Sequence, residues 1–315
     1  MAQSPVDSFN VPMNVLLLGA GYSAREIASV LSGDADVTAL YGTTRRKENT
    51  AALLAAGITP VVFDGMTVSE SLDAVLASVT HIVVSVSPVR SGVISDSADA
   101  LIIERLAQRQ AARSEQDRVT IVYLSTIGVY GDHHGAWVDE TTPCKPVSER
   151  SIQRLDAEAR WLSLAERAGH VVSVFRLSGI YGPGRNAFVN LEAGRARRIN
   201  LPGQYFNRIH VTDIATAVTC GLQHSVQGVF NITDAEPAPG HEVITYAAEL
   251  GGYDKPPMID FADADLSPMA QSFYGENKRV RHLKSLTIPG MQYRYPNYRD
   301  GLTALYRSGD WRTQG

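Results

Sequence analysis

The chain has 315 residues and a mass of 34.2 kDa, and its 44% hydrophobic and 20% charged residues favour a substantial folded core over disorder. A net charge of −4 and an isoelectric point near 6.1 give no electrostatic reason to expect a nucleic-acid partner. No apolar run is long enough for a membrane span, and Met1–Pro12 lacks a signal-peptide pattern, so no membrane partner is expected. Cys144 and Cys220 are not spaced as a metal site, and a cytoplasmic location is predicted.

Strand and helix patterns alternate along the first part of the chain, which predicts right-handed crossovers and an α/β fold with a doubly wound parallel sheet of the Rossmann type. Strands are predicted at Asn14–Gly19, Val37–Tyr41, Thr59–Phe63, His81–Val86, Thr120–Ser125 and Val171–Leu177. Helices are predicted at Tyr22–Leu31, Thr50–Ala56, Ser69–Ala77, Ala98–Arg113 and Glu149–Ala168.

After Ser178 the pattern loosens into loops rich in glycine and proline, with one more sheet strand at Val229–Ile232. The sequence therefore predicts a Rossmann domain over residues 11–178, with a returning segment near 210–232. Residues 179–209 and 233–315 are assigned to a smaller C-terminal lobe on the substrate side.

A glycine-rich turn follows the first predicted strand. Gly19–Ala24 reads G-x-G-x-x-A and lies between a strand and a helix. The first glycine permits the tight turn, the second lets backbone N–H groups approach a pyrophosphate, and the final alanine is small enough for close helix–strand contact. This context favours dinucleotide binding over a purely structural turn. The candidate cofactor-binding residues here are Gly19, Gly21, Tyr22, Ser23 and Ala24.

The end of the second predicted strand indicates which nicotinamide cofactor is bound. NAD-specific sites place a carboxylate here for the adenosine ribose. Residues 41–46, Y-G-T-T-R-R, contain no acid and offer hydroxyl and guanidinium groups that can bind a 2′-phosphate. NADP(H) is therefore the predicted cofactor, with Arg45 as first candidate, Arg46 as second and Thr44 beside them. The alternative is a pair of solvated surface arginines.

Other strand ends border the predicted cofactor cleft. Asp64 follows the third strand and is a candidate acceptor for the adenine amine. At the end of the fourth strand, Ser85, Val86 and Ser87 are expected to line the nicotinamide side through backbone contacts, because ligands of such sheets bind at the carboxyl ends of the strands. Ser125, which ends the fifth strand, is also a candidate cofactor contact.

Three segments, in order along the chain, resemble the motifs of one family. Leu124–Gly131 is similar to an S-S-x-x-V-Y-G strand end, Arg176–Arg185 to R-x-x-x-I-Y-G-P-G-R, and Arg208–Ala215 to R-x-H-V-x-D-I-A. These motifs are typical of the extended short-chain dehydrogenases/reductases, the NAD-dependent epimerase/dehydratase-like family. The resemblance covers nearly the whole chain. The shortened glycine turn resembles the atypical branch, which includes reductases, isomerases and cofactor-binding proteins without catalysis.

The resemblance implies a catalytic arrangement that this chain retains only in part. Thr126 lies at the position of the Ser/Thr that polarises the substrate oxygen. The family's Tyr-x-x-x-Lys pair, which provides the general acid/base and holds the ribose, falls on Arg150 and Arg154. No tyrosine occurs in residues 131–180, and the one lysine there lies in a proline-flanked loop. Arg154 can still bind ribose hydroxyls, whereas Arg150 cannot shuttle a proton near neutral pH but can clamp an anion.

Other side chains are candidates for proton transfer and substrate binding. His133 and His134 lie just beyond the fifth strand, and histidine titrates in the useful range; the alternative is that they are solvated loop residues. Glu140, Arg185 and Arg208 are candidate substrate contacts, the two arginines for an anionic group.

Three functions remain open on this evidence. The first is an atypical NADP-dependent oxidoreductase that acts on a small polar or anionic substrate. The second is a non-catalytic NADP-binding sensor or accessory protein. The third is a nucleotide-sugar epimerase or dehydratase, whose chemistry normally needs the missing tyrosine. The resemblance also implies a possible homodimer formed through the helices near residues 98–113 and 149–168.

Overall fold

The computed structural model describes residues 12–86, 98–110 and 118–312. The strands are β1 (Met13–Leu18), β2 (Val37–Thr44), β3 (Thr59–Val62), β4 (His81–Val84), β5 (Thr120–Thr126), β6 (Trp137–Val138), β7 (Val171–Leu177), β8 (Gly179–Tyr181), β9 (Arg198–Asn200), β10 (Arg208–His210), β11 (Gly228–Ile232), β12 (Met258–Asp260) and β13 (Arg279–Val280). The helices are α1 (Tyr22–Leu31), α2 (Thr50–Ala55), α3 (Glu70–Ser78), α4 (Ala98–Gln110), α5 (Glu149–Ala168), α6 (Ala187–Glu192), α7 (Val211–Gln223), α8 (Gly240–Gly251), α9 (Pro268–Tyr274) and α10 (Tyr298–Ser308).

One seven-stranded sheet organises the molecule, in the order β11-β7-β5-β4-β1-β2-β3. Every pairing in it is parallel. This order and direction confirm the predicted doubly wound sheet of the Rossmann type. The carboxyl ends of β1, β2, β4 and β5 therefore meet at one edge, where ligands of such sheets bind.

Helices cover both faces of the sheet, and the side chains of β1 show why. Val15 and Leu17 join the core on one face, whereas Leu16 and Leu18 join the core on the other, since successive side chains of a strand point to opposite faces. The first core includes residues of α1, α2 and α7, and the second includes residues of α3, α4 and α5. A strand buried on both sides has the continuous apolar sequence seen here.

Several element boundaries differ from those predicted. β2 continues through Thr44 rather than ending at Tyr41, because Gly42, Thr43 and Thr44 pair with β3. β4 ends at Val84, so Ser85 begins the loop above the sheet. The predicted end of α4, at residues 111–113, lies outside the described residues.

The returning segment contains a helix that the sequence analysis did not predict. α7 packs against α1, and β11 extends the sheet beside β7. Beyond it, α6, α8 and α10 enclose a small core that includes Phe188, Val243, Ala247, Leu302 and Trp311. This core is separate from those of the sheet, and we call the part of the chain around it the C-terminal lobe; the division into two domains stays a prediction.

The surface proposed for a homodimer is formed by α4 and α5. These helices pack side by side, and Arg160 Nη2 lies 3.6 Å from Asp99 Oδ2 between them. The homodimer stays a prediction. Within the described residues, no helix is long and apolar enough to cross a membrane, and no group of three His, Cys, Asp or Glu side chains is arranged to hold a metal ion.

Candidate functional site

The turn between β1 and α1 is shaped by its two glycines in different ways. Gly19 has φ of +93°, and a Cβ there would lie 2.8 Å from Val86 Cγ1, so glycine is required both by conformation and by space. Gly21 precedes the first residue of α1, and a Cβ at this position would meet no atom within 4 Å. The surface beside Gly21 is therefore open at the amino end of a helix, which is a favourable place for a phosphate.

Thr43, which the sequence analysis missed, holds this turn in place. Its Oγ1 accepts a hydrogen bond of 2.7 Å from the Gly19 N–H, and its carbonyl oxygen accepts one of 3.1 Å from the Ala20 N–H. These two amides are thus unavailable to a phosphate, and Gly19 contributes shape rather than a donor. The amides that start α1, at Tyr22 and Ser23, remain as the predicted donors. A threonine near the end of the second strand gives no distinctive signal in one sequence.

The two arginines beyond β2 are both exposed. Thr44 Oγ1 accepts a hydrogen bond of 3.3 Å from the Arg46 N–H and so fixes the start of this loop. In the described part of the chain, neither Arg45 nor Arg46 has a carboxylate within salt-bridge distance. Two guanidinium groups are therefore available at the place where the adenosine ribose is predicted to lie.

Asp64 forms a local turn at the end of β3. Its Oδ1 accepts hydrogen bonds from the backbone N–H groups of Met66, at 2.8 Å, and Thr67, at 3.2 Å, and these bonds lower the pKa of the Asp64 carboxyl. The carboxyl is exposed and ionised near neutral pH. The adenine contact stays a prediction, and the turn gives the residue a structural role in addition.

The end of β4 supports the glycine turn from the side. Ser85 Oγ donates a hydrogen bond of 2.5 Å to the Gly19 carbonyl oxygen, and the Val86 side chain lies beneath Gly19. This position places both residues next to the predicted cofactor cleft. Ser87 lies outside the described residues.

Arg154 and Arg150, which the resemblance assigns to the family's Lys and Tyr positions, have different environments. Arg154 Nη1 donates hydrogen bonds to the carbonyl oxygens of Leu124, at 2.8 Å, and Val86, at 3.4 Å, so it joins the carboxyl ends of two strands. Arg150 is exposed, and its Cζ lies 5.7 Å from the ring centroid of Phe273 on α9. A helix of the C-terminal lobe thus lies over the start of α5.

Thr126 and Ser125 end β5, but their hydroxyl groups have different partners. Thr126 Oγ1 accepts a hydrogen bond of 3.1 Å from the Gly128 N–H and caps the short turn that follows. Ser125 is buried, and its Oγ donates a hydrogen bond of 2.5 Å to Glu158 Oε1. Glu158 is also paired with Arg176, whose Nη2 lies 2.7 Å from Oε2. The Ser125 hydroxyl is therefore part of the buried support of the site, and only its backbone remains as a predicted cofactor contact.

His133 and His134 belong to a loop that is fastened to the C-terminal lobe. The His133 N–H donates to the Asn277 carbonyl oxygen at 3.0 Å, and the His133 ring Nε2 lies 3.1 Å from the Tyr130 carbonyl oxygen. His134 is exposed, and its Nδ1 lies 2.9 Å from Asp132 Oδ2. Both rings therefore have partners in their own loop. No contact brings them to Thr126 or Arg150 in the described part of the chain.

The three predicted substrate contacts are not brought together. Glu140 Oε1 accepts a hydrogen bond of 2.7 Å from the Asn231 N–H, which fastens its loop to β11. Arg185 lies beside the glycine turn instead, with its Cζ 5.9 Å from the ring centroid of Tyr22. Arg208 lines a cavity within the C-terminal lobe.

Tyr22 connects the glycine turn to the Y-G-P-G-R segment. Its hydroxyl donates a hydrogen bond of 3.0 Å to the Pro183 carbonyl oxygen. Burial raises the pKa of Tyr22 to about 12, so the hydroxyl stays protonated and keeps this bond near neutral pH. Gly182 and Arg185 bond each other in a tight turn, which directs the Arg185 side chain toward the opening strand–helix junction.

The family model described as the NAD dependent epimerase/dehydratase family matches residues 15–233. The chain belongs to this family. The match covers the glycine turn, the four strand ends discussed above and the three motifs. No curated protein matches the chain.

Solved structures resemble the chain over nearly its whole length. A functionally unknown conserved protein from Silicibacter pomeroyi DSS is 40% identical, with a TM-score of 0.82, and the match covers 95% of this chain and 99% of that one. UDP-N-acetylglucosamine 4-epimerase from Bacillus cereus is 19% identical, with a TM-score of 0.67 and coverage of 94% and 99%. Human epimerase family protein SDR39U1 (isoform 2), solved with NADPH, is 17% identical, with a TM-score of 0.67 and the same coverage. The two distant matches show the shared fold.

Proposed function

We propose that the chain is an NADP(H)-dependent oxidoreductase that acts on a small polar or anionic substrate without the usual Tyr/Lys pair. The observation that carries the choice of NADP(H) is the pair of exposed arginines beyond β2, where neither has a carboxylate partner in the described part of the chain. A carboxylate at this point would bind the ribose hydroxyls of NAD and repel a 2′-phosphate. Arg45 and Arg46 favour that phosphate instead.

The residues of the cleft fit a dinucleotide. The open surface beside Gly21 leaves room for the pyrophosphate, and the amides of Tyr22 and Ser23 are its proposed donors. We assign Arg185 to the same pyrophosphate rather than to the substrate, because it lies over the Tyr22 ring. In this proposal residues 11–178 and the returning segment near 210–232 hold the cofactor, and residues 179–209 and 233–315 hold the substrate.

The remaining roles follow from the chemistry of the side chains. The bound nicotinamide would accept or donate the hydride. Thr126 would hold the reacting oxygen or nitrogen through its hydroxyl, and Arg154 would donate to the ribose hydroxyls. Arg150 would stabilise negative charge on the substrate, since a guanidinium stays protonated near neutral pH. The proton would come from water or from the substrate, because His133 and His134 are held by their own loop.

Cofactor titration tests the first part of this proposal. Arg45→Gln and Arg46→Gln should each weaken NADPH binding by about tenfold to a hundredfold, because each removes a charge-assisted hydrogen bond to the 2′-phosphate. NADH binding should change little. Arg307→Gln, an exposed arginine of α10, is the matched control. Equal affinity of the unaltered protein for NADPH and NADH would contradict the assignment.

Substrate turnover tests the second part. A panel of carbonyl and imine substrates should include at least one that changes the absorbance of the reduced cofactor. Two alternatives make different predictions. Family membership is equally consistent with an epimerase or dehydratase, which would convert its substrate and leave the cofactor spectrum unchanged after turnover. A non-catalytic NADP-binding protein, favoured by the use of Arg154 to join two strand ends, would bind NADPH and convert nothing.

A further inference from the structure

The C-terminal lobe contains a cavity of about 180 Å³ between α6, α8 and α10. Its polar lining includes Tyr181, Arg208 and Tyr298, with Asn190 beside them, and its apolar lining includes Val243, Ile244 and Leu302. A volume of this size holds about six water molecules at liquid density. The cavity therefore fits a small organic molecule and is far too small for a nucleotide sugar.

Two hydroxyl groups in the cavity wall have no hydrogen-bond partner among the residues that the structure describes. Tyr181 is 8% exposed and Tyr298 is 0% exposed, and the Oη atom of each is buried without a hydrogen bond. A buried hydroxyl normally has a partner, because leaving it without one is unfavourable. Each phenol can donate one proton, so the two hydroxyls together offer two donors to a ligand.

Arg208 adds a positive charge to the same wall. Its Nη1 donates hydrogen bonds of 2.9 Å to the Phe206 carbonyl oxygen and 3.1 Å to the Ala238 carbonyl oxygen. A guanidinium has five N–H donors, so these two bonds leave others for a ligand. In the described part of the chain, no carboxylate lies within salt-bridge distance of Arg208.

The acids near Arg208 do not neutralise it. Glu236 Oε1 is paired with Arg299 Nε at 2.9 Å. Burial raises the pKa of Asp234 to about 8, so this carboxyl is mainly neutral at pH 7. Arg208 thus keeps an uncompensated charge, although burial lowers its pKa, since arginine remains protonated in proteins.

The start of α8 also favours an anion. Gly240, its first residue, lines the cavity, and the preceding Pro239 provides no side-chain cap. The first amides of a helix carry partial positive charge and lack partners within the helix. Gly240 therefore brings a second source of donors to the cavity, whereas the Glu242 N–H already donates to the Pro239 carbonyl oxygen.

We propose that the cavity binds a small monoanionic carboxylate with a short apolar body. The carboxylate would accept from the Arg208 guanidinium and from the Tyr181 and Tyr298 hydroxyls, and the aliphatic part would contact Val243 and Leu302. One cation beside neutral donors suits a single negative charge better than a phosphate dianion. This inference goes beyond the proposed function, since it assigns a ligand class to a cavity of the C-terminal lobe, and binding of the carboxylate does not require the cofactor.

Calorimetric titration of the full chain with isovalerate, without cofactor, tests the proposal. Isovaleramide has the same body without the charge and is the matched ligand control. We expect millimolar binding of isovalerate, at least about tenfold weaker binding of isovaleramide, and a loss of about tenfold in Arg208→Gln and Tyr298→Phe. Arg312→Gln, an exposed arginine, should bind as the unaltered protein does.

The outcomes separate this inference from the proposed function. Equal binding of isovalerate and isovaleramide, no binding of either, or full binding of isovalerate by Tyr298→Phe would overturn the carboxylate site. Tyr298→Phe removes a single oxygen atom and is therefore expected to fold. It keeps the carboxylate site testable if Arg208→Gln does not fold. NADPH is titrated into the same proteins, and retained NADPH binding without isovalerate binding would reject the site while leaving the cofactor assignment intact.

Discussion

Two regions of the molecule bury polar side chains, but only in one of them are those side chains hydrogen-bonded to each other. Behind the cofactor cleft, Glu158 accepts from Ser125 at 2.5 Å and from Arg176 at 2.7 Å, and its carboxylate is thus paired on both sides. In the cavity of the C-terminal lobe, the hydroxyls of Tyr181 and Tyr298 are buried without a partner among the described residues. Glu158 is 2% exposed and Tyr298 is 0% exposed, so burial of the residue alone does not explain the difference.

Buried polar atoms without a partner in the described part of the chain also occur beside the sheet, as at Trp161 Nε1, so the distinguishing feature of the cavity is that two such hydroxyl groups line the same open space. A fully paired polar cluster is rigid and specifies one arrangement, which suits the support beneath a cofactor. Each buried polar group without a partner lowers stability by about 1–3 kcal/mol. Such groups persist most readily where a ligand supplies the missing partners, and the cavity of the C-terminal lobe is such a place.

The largest effect is expected from breaking the paired cluster. Glu158→Ala should lower the free energy of unfolding by about 3–5 kcal/mol, because it leaves the buried guanidinium of Arg176 without its partner. Chemical denaturation measures this. Glu249→Ala, which removes the exposed pair with Lys255, should cost at most about 1 kcal/mol. A similar small loss in both variants would show that the buried cluster is not the support we describe.

A smaller effect is expected at the glycine turn. Gly19→Ala should lower the free energy of unfolding by about 2–3 kcal/mol, since its φ is +93° and its Cβ would approach Val86 Cγ1 to 2.8 Å. Gly21→Ala should change it by at most about 1 kcal/mol, because its Cβ would meet no protein atom. Gly21→Ala is the more informative variant for cofactor binding. It should fold normally but bind NADPH more weakly, because the added methyl group occupies the open surface beside the start of α1. Unchanged NADPH affinity in that variant would place the pyrophosphate elsewhere.

The seven-stranded sheet and its covering helices could largely be predicted from the sequence, because the patterns that indicate them lie within short stretches of chain. Each parallel strand is an apolar run that ends in a turn residue, and the G-x-G-x-x-A turn occurs where a strand meets a helix. What the sequence could not give is the set of contacts between distant segments. Thr43 is separated by 24 residues from the Gly19 amide that it holds, and no local pattern indicates such a bond.

The C-terminal part was harder to predict for physical reasons. α7 is buried along most of its length, and its many threonine and valine residues have low helix propensity, so the segment resembles a buried strand as much as a helix. The small strands β8, β9 and β10 have three residues each and pair only with one other short strand. Arg208 was predicted as a substrate contact from its motif. Its position in one cavity with Tyr181 and Tyr298 depends on how β8, β10 and α10 pack, which the sequence does not show.

The next effect concerns pH and the acid beside the cavity. Burial raises the pKa of Asp234 from 3.8 to about 8. Between those values the folded state holds a proton that the unfolded state has released, so stability falls as pH rises, by about 1.4 kcal/mol per pH unit for this group. Asp234→Asn should remove that slope, measured by chemical denaturation between about pH 6.5 and 8.

Other titrating groups add slopes of their own, which all variants share. Burial lowers the pKa of His210 to about 4, and the unfolded histidine releases its proton at about pH 6.5, so His210 opposes the Asp234 slope at the lower end of the range; burial raises the pKa of Asp213 to about 6, below the range. The measured quantity is therefore the difference in slope between Asp234→Asn and the unaltered protein. Asp254→Asn, at an exposed aspartate of the same lobe, is the control and should keep the slope of the unaltered protein. If Asp234→Asn also keeps it, the Asp234 carboxylate is ionised in the folded protein and Arg208 is neutralised.

The smallest effect is expected when either of two buried tyrosines, Tyr130 or Tyr298, loses its hydroxyl group. These variants test whether the hydroxyl groups differ in pairing between the two regions. Tyr130 donates a hydrogen bond of 2.8 Å to Asn231 Oδ1, whereas the Tyr298 hydroxyl has no partner in the described part of the chain. Tyr130→Phe should lower the free energy of unfolding by about 1–2 kcal/mol, because it also leaves the Asn231 oxygen without its donor. Tyr298→Phe should leave it within about 0.5 kcal/mol or raise it slightly, since it removes a hydroxyl that is desolvated without compensation. Equal losses in the two variants, measured by denaturation without ligand, would mean that the Tyr298 hydroxyl already has a partner, and the cavity would then have one donor fewer for an anion.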